Sequence, residues 1–217
     1  MINASDLYQG SKNSLFNSLK REIIITADGS KTIQLVEWNE QYHSKHGAIQ
    51  EALHVFIDKG LNYVIQTKTG KLISILEIGF GTGLNAFLTF IESEQKNLEI
   101  SYEGVEAYPV SEEEMDLLNY ASLVGEKHEK TFRKMHESSW EKSVPLSSKF
   151  NLKKRQGLFS EINDENSFDL IYFDAFGARV QPDLWTEPIF QIMYNALRPS
   201  GVLVTYSAKG SARRAME

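Results

Sequence analysis

The fold of this chain is decided by residues 72–85, which read Leu72-Ile73-Ser74-Ile75-Leu76-Glu77-Ile78-Gly79-Phe80-Gly81-Thr82-Gly83-Leu84-Asn85. A mostly apolar run of seven residues is typical of a strand buried in a parallel sheet, and three alternating glycines follow it directly. Glycine allows a sharp turn and a close approach of the backbone to a ligand, and the amides at the next helix start would face that ligand. The stretch therefore predicts a strand, a ligand-binding loop and a helix in succession.

Beyond this stretch, short apolar runs alternate with helical patterns. The predicted strands are Leu72–Ile78, Ile100–Val105, Phe150–Arg155, Phe168–Phe173 and Val202–Tyr206, the last entered through a turn at residues 199–201. The predicted helices are Leu84–Ile91, Ser111–Leu118, Lys130–Lys142 and Thr186–Leu197. Such alternation implies parallel strands joined by right-handed crossovers, so the sequence predicts an α/β fold with a doubly wound, mainly parallel sheet.

The N-terminal part of the chain has a different pattern. Apolar residues flank Asp28-Gly29 within Arg21–Val36, which predicts a β-hairpin with a tight turn. Residues 47–60 have apolar positions at helical spacing, and Gly60 predicts the end of that helix. We therefore expect residues 1–60 to form a hairpin-and-helix extension packed on a ligand-binding domain of residues 61–217.

Composition excludes several kinds of chemistry. The 217 residues include no cysteine, which removes disulfides, cysteine-ligated zinc, iron–sulfur clusters and a thiol nucleophile. The chain start lacks a signal-peptide pattern, and no apolar run approaches the roughly 18 residues of a membrane span. We expect a cytoplasmic protein with no membrane partner. His43 and His46 have no third ligand in the sequence pattern, so we also expect no metal.

Charge is distributed unevenly. The net charge is −6, and residues 92–116 contain nine acidic residues and one lysine. Two basic clusters stand out, and either could be a nucleic-acid-binding face or ordinary solvated surface. They comprise Lys149, Lys153, Lys154 and Arg155, and then Arg198, Lys209, Arg213 and Arg214.

The glycine loop fits more than one nucleotide ligand. Residues 81–86 satisfy the loose dinucleotide pattern, and Glu106, at the end of the next strand, suits the two ribose hydroxyls of either NAD or S-adenosylmethionine. Glu77 distinguishes them, because a carboxylate beside the loop would repel a pyrophosphate. The order Glu-Ile-Gly-Phe-Gly-Thr-Gly resembles motif I of class I S-adenosylmethionine-dependent methyltransferases, in which the acid helps to hold the amino-acid end of the cofactor. We predict that S-adenosyl-L-methionine is the cofactor and that its binding residues are Glu77, Gly79, Gly81, Gly83 and Glu106.

Asp174 follows the fourth predicted strand of the sheet, at the edge where reacting groups of open parallel sheets lie. A carboxylate there can orient an amine nucleophile and receive its proton, which makes Asp174 the predicted catalytic residue. Phe176 and Trp185 could form aromatic walls of the site. In the alternative interpretation, Asp174 caps a turn and both aromatic residues belong to the core.

Four segments carry a family resemblance that covers nearly the whole chain. They resemble the methyltransferases of tRNA wobble-uridine modification known as MnmD, or the N-terminal half of MnmC. The segments are Tyr42-His43-Ser44 with Glu51–Phe56, Phe173-Asp174-Ala175-Phe176, Gln181–Thr186, and residues 197–214.

The resemblance implies an N-methyltransferase that converts the 5-aminomethyl group of wobble 2-thiouridine in tRNA to 5-methylaminomethyl. It implies that Asp174 faces the acceptor amine, that the anticodon stem-loop is the partner, and that a separate enzyme supplies the aminomethyl precursor. Cations on loops at the same sheet edge would then contact phosphates: Arg179, Lys209, Arg213 and Arg214.

The sequence also departs from the family pattern. Adenine recognition falls to Gln156 or a backbone group, and the sixth and seventh strands of the family's sheet are not evident. Two rival functions remain open: a polyamine-type transferase using S-adenosylmethionine or its decarboxylated form, and a catalytically inactive binding module.

Overall fold

The computed structural model describes residues 19–68 and 70–217. The N-terminal part contains β1 (Arg21–Ile25), β2 (Lys31–Leu35), β3 (Glu40–Gln41), α1 (Ala48–Ala52), a π-helical segment (Leu53–Leu61) and α2 (Asn62–Thr67). The predicted hairpin is confirmed, since β1 and β2 pair in antiparallel register around Gly29, which has a φ of +83°. The sequence did not predict β3, which has only two residues and pairs with β2.

The predicted end of the first helix at Gly60 is wrong. Helical structure continues from Ala48 through the π-helical segment and α2 to Thr67, and Gly60 lies inside it. A Cβ atom at Gly60 would lie 3.0 Å from Val204 and 3.1 Å from Tyr172. Glycine is therefore used here for a close approach of helix and sheet rather than for a cap.

The main sheet has six strands in the order β6-β7-β5-β4-β8-β9, and five of them are parallel. The strands are β4 (Leu72–Ile78), β5 (Glu99–Glu106), β6 (Ser143–Pro145), β7 (Phe150–Gln156), β8 (Phe168–Phe173) and β9 (Leu197–Thr205). The helices that follow α2 are α3 (Leu84–Lys96), α4 (Glu112–Asp116), α5 (Tyr120–Val124), α6 (Glu129–Glu137), α7 (Glu187–Ala196) and α8 (Gly210–Met216).

Several elements differ from the sequence prediction, and α3 runs to Lys96, five residues past the predicted end at Ile91. The antiparallel edge strand β6 was missed because three residues ending in proline give no alternation to detect. Strand β9 begins at Leu197 and takes in the predicted turn, where Ser200 has a φ of +65° and the register with β8 shifts. Helix α6 ends at Glu137, five residues before the predicted end at Lys142, because Trp140 forms a bridge with Lys154 of β7.

Apolar side chains of the sheet pack into two hydrophobic cores, one on each face. On β8, Leu170 and Tyr172 join the core beneath α3 and the π-helical segment, while Ile171 and Phe173 join the core beneath α7. Helices on both faces of a mainly parallel sheet confirm the predicted doubly wound α/β class. Across the described parts of the chain, the helices are all too short or too polar to cross a bilayer.

The sheet order determines where a ligand can bind. Strands β4 and β8 are neighbours at the centre of the sheet. The chain leaves β4 toward β5 on one side and leaves β8 toward β9 on the other, so these two connections diverge. Divergence of this kind opens a crevice beyond the carboxyl ends of the strands.

Candidate active site

A cavity of about 600 Å³ lies at this crevice. Its volume falls within the ~300–1,000 Å³ typical of small-molecule sites. Five of the six predicted site residues line it: Glu77, Gly79, Gly81, Glu106 and Asp174. The sixth, Gly83, is the residue immediately before α3.

The glycine loop is held tightly against the rest of the site. Gly79 has a φ of +88°, and a Cβ atom there would lie 2.7 Å from the backbone oxygen of Asp174. Gly81 has a φ of +48°, and a Cβ atom there would lie 3.1 Å from the ring of Tyr42. Only glycine suits both positions, and the bare backbone that results can lie directly against a ligand.

Glu106 ends β5 and ties the loop to that strand. Its carboxylate accepts hydrogen bonds from the backbone N–H of Gly81 at 3.0 Å and of Tyr108 at 2.9 Å. Burial raises the pKa of Glu106, while these two hydrogen bonds oppose the rise. Each oxygen keeps a further lone pair, so the carboxylate can also accept the two hydroxyls of a ribose.

Glu77, Asn85 and Asp174 form a buried network beneath the loop. The Asn85 amide Nδ2 donates to Glu77 Oε1 at 2.9 Å and to Asp174 Oδ2 at 2.8 Å. The hydroxyl of Tyr102 donates to the other oxygen of Glu77 at 2.8 Å. Sequence analysis missed Asn85 as a site residue, although a polar side chain directly after the glycine loop, in the first turn of the mostly apolar Leu84–Ile91 stretch, was a usable signal.

Burial gives Asp174 an unusual proton affinity. It raises the pKa of Asp174 to about 7, the hydrogen bond from Asn85 lowers it, and nearby Glu51 raises it further. Burial, and then the charge of Asp174, also raise the pKa of Glu77. A carboxylate that titrates near neutral pH can accept and release a proton under physiological conditions.

The outer wall of the cavity is aromatic and comes from the N-terminal part. The ring of Tyr42 lies edge-on to Phe176 with centroids 4.9 Å apart, and Trp38 lies edge-on to Phe176 at 6.5 Å. Trp185 is not in this wall, because it is 5% exposed and its Nε1 donates to the Phe176 carbonyl at 2.8 Å. Trp185 is therefore a core residue. The aromatic wall that the sequence assigned to Phe176 and Trp185 is formed instead by Phe176 with Trp38 and Tyr42.

His43 connects the N-terminal sheet to the glycine loop. Its Nδ1 lies 2.9 Å from Thr32 Oγ1, and its Nε2 lies 3.4 Å from Thr82 Oγ1. Burial lowers the pKa of His43 to about 4, so the ring is neutral at physiological pH. Within residues 19–68 and 70–217, no three His, Asp or Glu side chains are grouped to hold a metal.

The first basic cluster is not a surface patch. Lys154 is 2% exposed, and its Nζ donates to the His136 carbonyl at 2.5 Å and lies 4.8 Å from the ring centre of Trp140. Arg155 pairs with Asp164 at 2.6 Å.

The second basic cluster is divided between the two edges of the sheet. Arg198 pairs with Asp169 at 2.9 Å, at the amino end of β8, away from the cavity. Lys209, Arg213 and Arg214 are exposed around the start of α8, beyond the carboxyl end of β9. Arg179 is bound to Glu40 at 2.8 Å.

Gln156 does not line the cavity, whereas the residues shortly after it, Leu158, Phe159 and Ser160, do. This wall adjoins the end of β7, next to Glu106 of β5. It offers apolar side chains and backbone groups to a flat ligand.

Comparisons with known proteins agree with this geometry. A family model described as S-adenosyl-L-methionine-dependent methyltransferase matches residues 132–217. The tRNA 5-methylaminomethyl-2-thiouridine biosynthesis bifunctional protein MnmC of Paraburkholderia phymatum is 22% identical over 192 residues, which cover 83% of this chain and 29% of that protein. An uncharacterized protein of Methanocaldococcus jannaschii is 26% identical, with 94% of this chain and 56% of that protein covered. The chain thus spans from under a third to just over half of these relatives.

Solved structures extend the likeness. The crystal structure of MnmC2 from Aquifex aeolicus matches with a TM-score of 0.72 and 25% identity, over 99% of this chain and 71% of that one. Spermidine synthase from Thermotoga maritima, at 15% identity and a TM-score of 0.56, shares the fold over 91% of this chain and 60% of that one. The glycine loop, the buried acid at the end of β5 and the cavity volume all suit a nucleoside cofactor. The chain is therefore similar to S-adenosyl-L-methionine-dependent methyltransferases over residues 132–217, and to MnmC over most of its length.

Proposed function

We propose that this chain methylates the amine of 5-aminomethyl-2-thiouridine at the wobble position of tRNA and so forms 5-methylaminomethyl-2-thiouridine. The observation that carries the proposal is Asp174, a half-buried carboxylate on the cavity wall whose pKa is raised to about 7 and which is joined through Asn85 to the base of the glycine loop. An alkylamine is protonated at neutral pH and must lose a proton before it can act as a nucleophile. The MnmC relatives are tRNA 5-methylaminomethyl-2-thiouridine biosynthesis proteins by name, which supports the choice of acceptor.

The cofactor half of the cavity is assigned to Glu77, Gly79, Gly81, Gly83 and Glu106. When bound, S-adenosyl-L-methionine supplies a methyl group on a positively charged sulfur. The carboxylate of Glu106 would hold its ribose hydroxyls, and the bare backbone at Gly79 and Gly81 would let it lie against the loop. In this assignment Glu77 lies at the amino-acid end of the cofactor, and Asn85 and Tyr102 fix the positions of its two oxygens.

Asp174 performs the proton transfer on the acceptor side. In its ionised form it accepts one proton from the acceptor ammonium, which frees the nitrogen lone pair for attack on the methyl carbon. Transfer would form the N–CH₃ bond, break the S–CH₃ bond and leave a secondary ammonium beside a neutral thioether. Once Asp174 has released the proton it took up to solvent, its carboxylate can stabilise that charge. Trp38, Tyr42 and Phe176 line the acceptor side and offer flat surfaces to a base splayed out of the anticodon loop.

The rest of the tRNA would be bound outside the cavity. Lys209, Arg213 and Arg214 are exposed cations near the same edge and suit phosphate contacts, so the affinity for the anticodon stem-loop would fall with salt. In this proposal residues 1–60 form an extension that completes the acceptor side of a methyltransferase domain of residues 61–217. The enzyme would act in the cytoplasm and depend on a separate enzyme for the aminomethyl precursor.

A polyamine-type acceptor is the second candidate. Besides Glu77 and Glu106, four acidic residues line the cavity and would attract a small polycation: Glu40, Glu51, Asp174 and Asp183. The donor would then be S-adenosylmethionine or its decarboxylated form. The aromatic wall gives no advantage with an aliphatic chain, which favours the base-bearing acceptor.

The test is transfer of labelled methyl from S-adenosyl-L-methionine to bulk tRNA from cells that lack this activity, followed by nucleoside analysis. We expect label in 5-methylaminomethyl-2-thiouridine with the unaltered chain and at least a hundredfold less with Asp174→Asn. Parallel reactions contain putrescine or spermidine with either donor. Label on a polyamine and none on tRNA would replace the tRNA proposal with the second candidate.

A further inference from the structure

Asn85 has both of its amide protons committed to carboxylates. It is the second residue of α3 and is 2% exposed. Its Nδ2 lies 2.9 Å from Glu77 Oε1 and 2.8 Å from Asp174 Oδ2. Because an amide nitrogen has two donors and both are used, one side chain fixes an oxygen of each acid.

The other end of the same amide has no partner. Asn85 Oδ1 is buried and accepts no hydrogen bond from the described residues. An unsatisfied buried acceptor costs about 1–3 kcal/mol, and an aliphatic side chain of similar volume would avoid that cost. The reversed orientation would place Oδ1 against two carboxylates, which repel it when they are ionised. The observed contacts therefore indicate an amide that is present for its two donors.

The surroundings of Asp174 make this donor important. The titratable groups that face it are Glu51 after β3, Glu77 of β4, Tyr102 of β5 and Tyr206 after β9. None of these groups is a cation. Burial and Glu51 raise the pKa of Asp174, and the hydrogen bond from Asn85 is the one contribution from the described residues that lowers it.

We propose that Asn85 is a positioning residue, whose amide donates to Oδ2 of Asp174, favours the carboxylate over the acid and leaves Oδ1 for the acceptor amine. Glu77 is the second anchor of the same amide and prevents it from rotating away. The role in catalysis rests on the proposed amine methylation, whereas the effect on Asp174 ionisation does not.

The first experiment titrates Asp174 directly. The chain is labelled with [4-¹³C]aspartate, and the carboxyl signal of Asp174 is assigned by its absence in Asp174→Asn. We expect a midpoint near pH 7 in the unaltered chain and a rise of about one pH unit in Asn85→Ala. Ser93→Ala, a buried change on the same helix that touches neither acid, should leave the midpoint unchanged. An equal midpoint in Asn85→Ala and the unaltered chain would overturn the proposal.

Asn85→Ser is the second variant, since it keeps one donor and should shift the midpoint by less than alanine does. Thermal unfolding and binding of S-adenosylhomocysteine identify any variant that has lost its fold, and the serine variant carries the test if alanine fails to fold.

The second experiment measures kcat/KM for the amine-bearing tRNA from pH 6 to 9. At pH 7, Asn85→Ala should lose about tenfold, and at pH 9 it should recover to within about threefold. A loss that persists at pH 9 would mean that Asn85 is merely structural. No transfer by the unaltered chain, together with a shifted Asp174 midpoint, would refute the proposed function and leave the control of Asp174 by Asn85 standing.

Discussion

Two aspartates at opposite ends of β8 have opposite environments. Asp169, at the amino end, accepts a hydrogen bond from Ser74 N–H at 2.8 Å and forms ion pairs with Arg198, at 2.9 Å, and with Lys68. Burial opposes its ionisation, but Lys68, Ser74 and Arg198 lower the pKa of Asp169 below its usual value. Asp174, at the carboxyl end, has one amide donor from Asn85 and a pKa raised to about 7.

The difference shows that burial alone does not define a reactive carboxylate. Asp169 is buried and Asp174 is half-buried at the cavity, and the presence or absence of cations decides what each can do. Asp169 is fixed in its charged form and joins β4 to the start of β9. Asp174 keeps an affinity for protons in the range where an enzyme works, at the edge where the sheet opens.

The largest expected effect is on turnover. Asp174→Asn keeps an oxygen for Asn85 but removes the proton acceptor, so kcat should fall about 10²- to 10⁴-fold. The dissociation constant of S-adenosylmethionine, measured by calorimetry, should change less than threefold. Equal losses in binding and in turnover would place Asp174 in the cofactor site and remove the contrast with Asp169.

The second effect is on stability, and it has the opposite sign. The folded-state pKa of Asp174 is raised from 3.8 to about 7, so unfolding releases a proton between these values and stability falls as pH rises through them. Asp174→Asn should therefore stabilise the chain at pH 8, by at most about 4 kcal/mol, and have little effect at pH 4. Urea unfolding at the two pH values measures this, and a destabilised variant at pH 8 would contradict it.

Asp169→Asn should have the reverse effects, a loss of stability at neutral pH and almost no change in methyl transfer. Because it breaks two ion pairs and leaves Lys68 and Arg198 without their partner, it should lower stability at pH 7 by about 1–3 kcal/mol. The pKa of Asp169 is lowered, so this stabilising contribution is present above pH 4 and is lost as pH falls below it. Methyl transfer per folded molecule, measured well below the unfolding temperature, should stay within twofold. A large loss of transfer would show that the two ends of β8 are not independent.

The smallest expected effect is on cofactor affinity and concerns Glu106. Glu106 accepts two backbone N–H groups, and Glu106→Gln would turn an amide donor toward one of them. The affinity for S-adenosylmethionine should fall about tenfold, or 1.4 kcal/mol. Glu103→Gln, on the same strand but paired with Arg155, is the matched control and should leave the affinity unchanged.

Much of the fold follows from local pattern. Strands β4 and β8 have the bounds that the sequence predicts, because each is a short apolar run between turn signals. The elements that were missed or misplaced depend on contacts between distant residues. In sequence, Gly60 indicates a helix end, and only its close approach to Val204 and Tyr172 in the fold explains the glycine. Strands β3 and β6 are too short to show an alternation of apolar and polar residues.

The residues of the candidate site also divide into those that local sequence patterns predict and those that depend on contacts between distant residues. Glu77, Gly79, Gly81, Glu106 and Asp174 follow strands of one sheet, so the topology predicts that they meet. The aromatic wall was predicted in part: Phe176 belongs to it, but the contribution of Trp38 could not be predicted, because the two residues are far apart in sequence and no local signal joins them. Lys154 was counted as surface charge for a similar reason, since only its position over Trp140 shows that it is buried. The functional roles of the predicted site residues remain predictions.

The three tryptophans of this chain lie in three distinct environments, which makes the protein a source of its own optical signals. Trp38 is at the half-buried mouth of the cavity, Trp140 lies beneath the ammonium of Lys154, and Trp185 is enclosed in the core. With Trp140 and Trp185 replaced by phenylalanine, intrinsic fluorescence would report on Trp38 alone. The emission of that single indole would then record the arrival of a nucleobase in real time, without any attached dye.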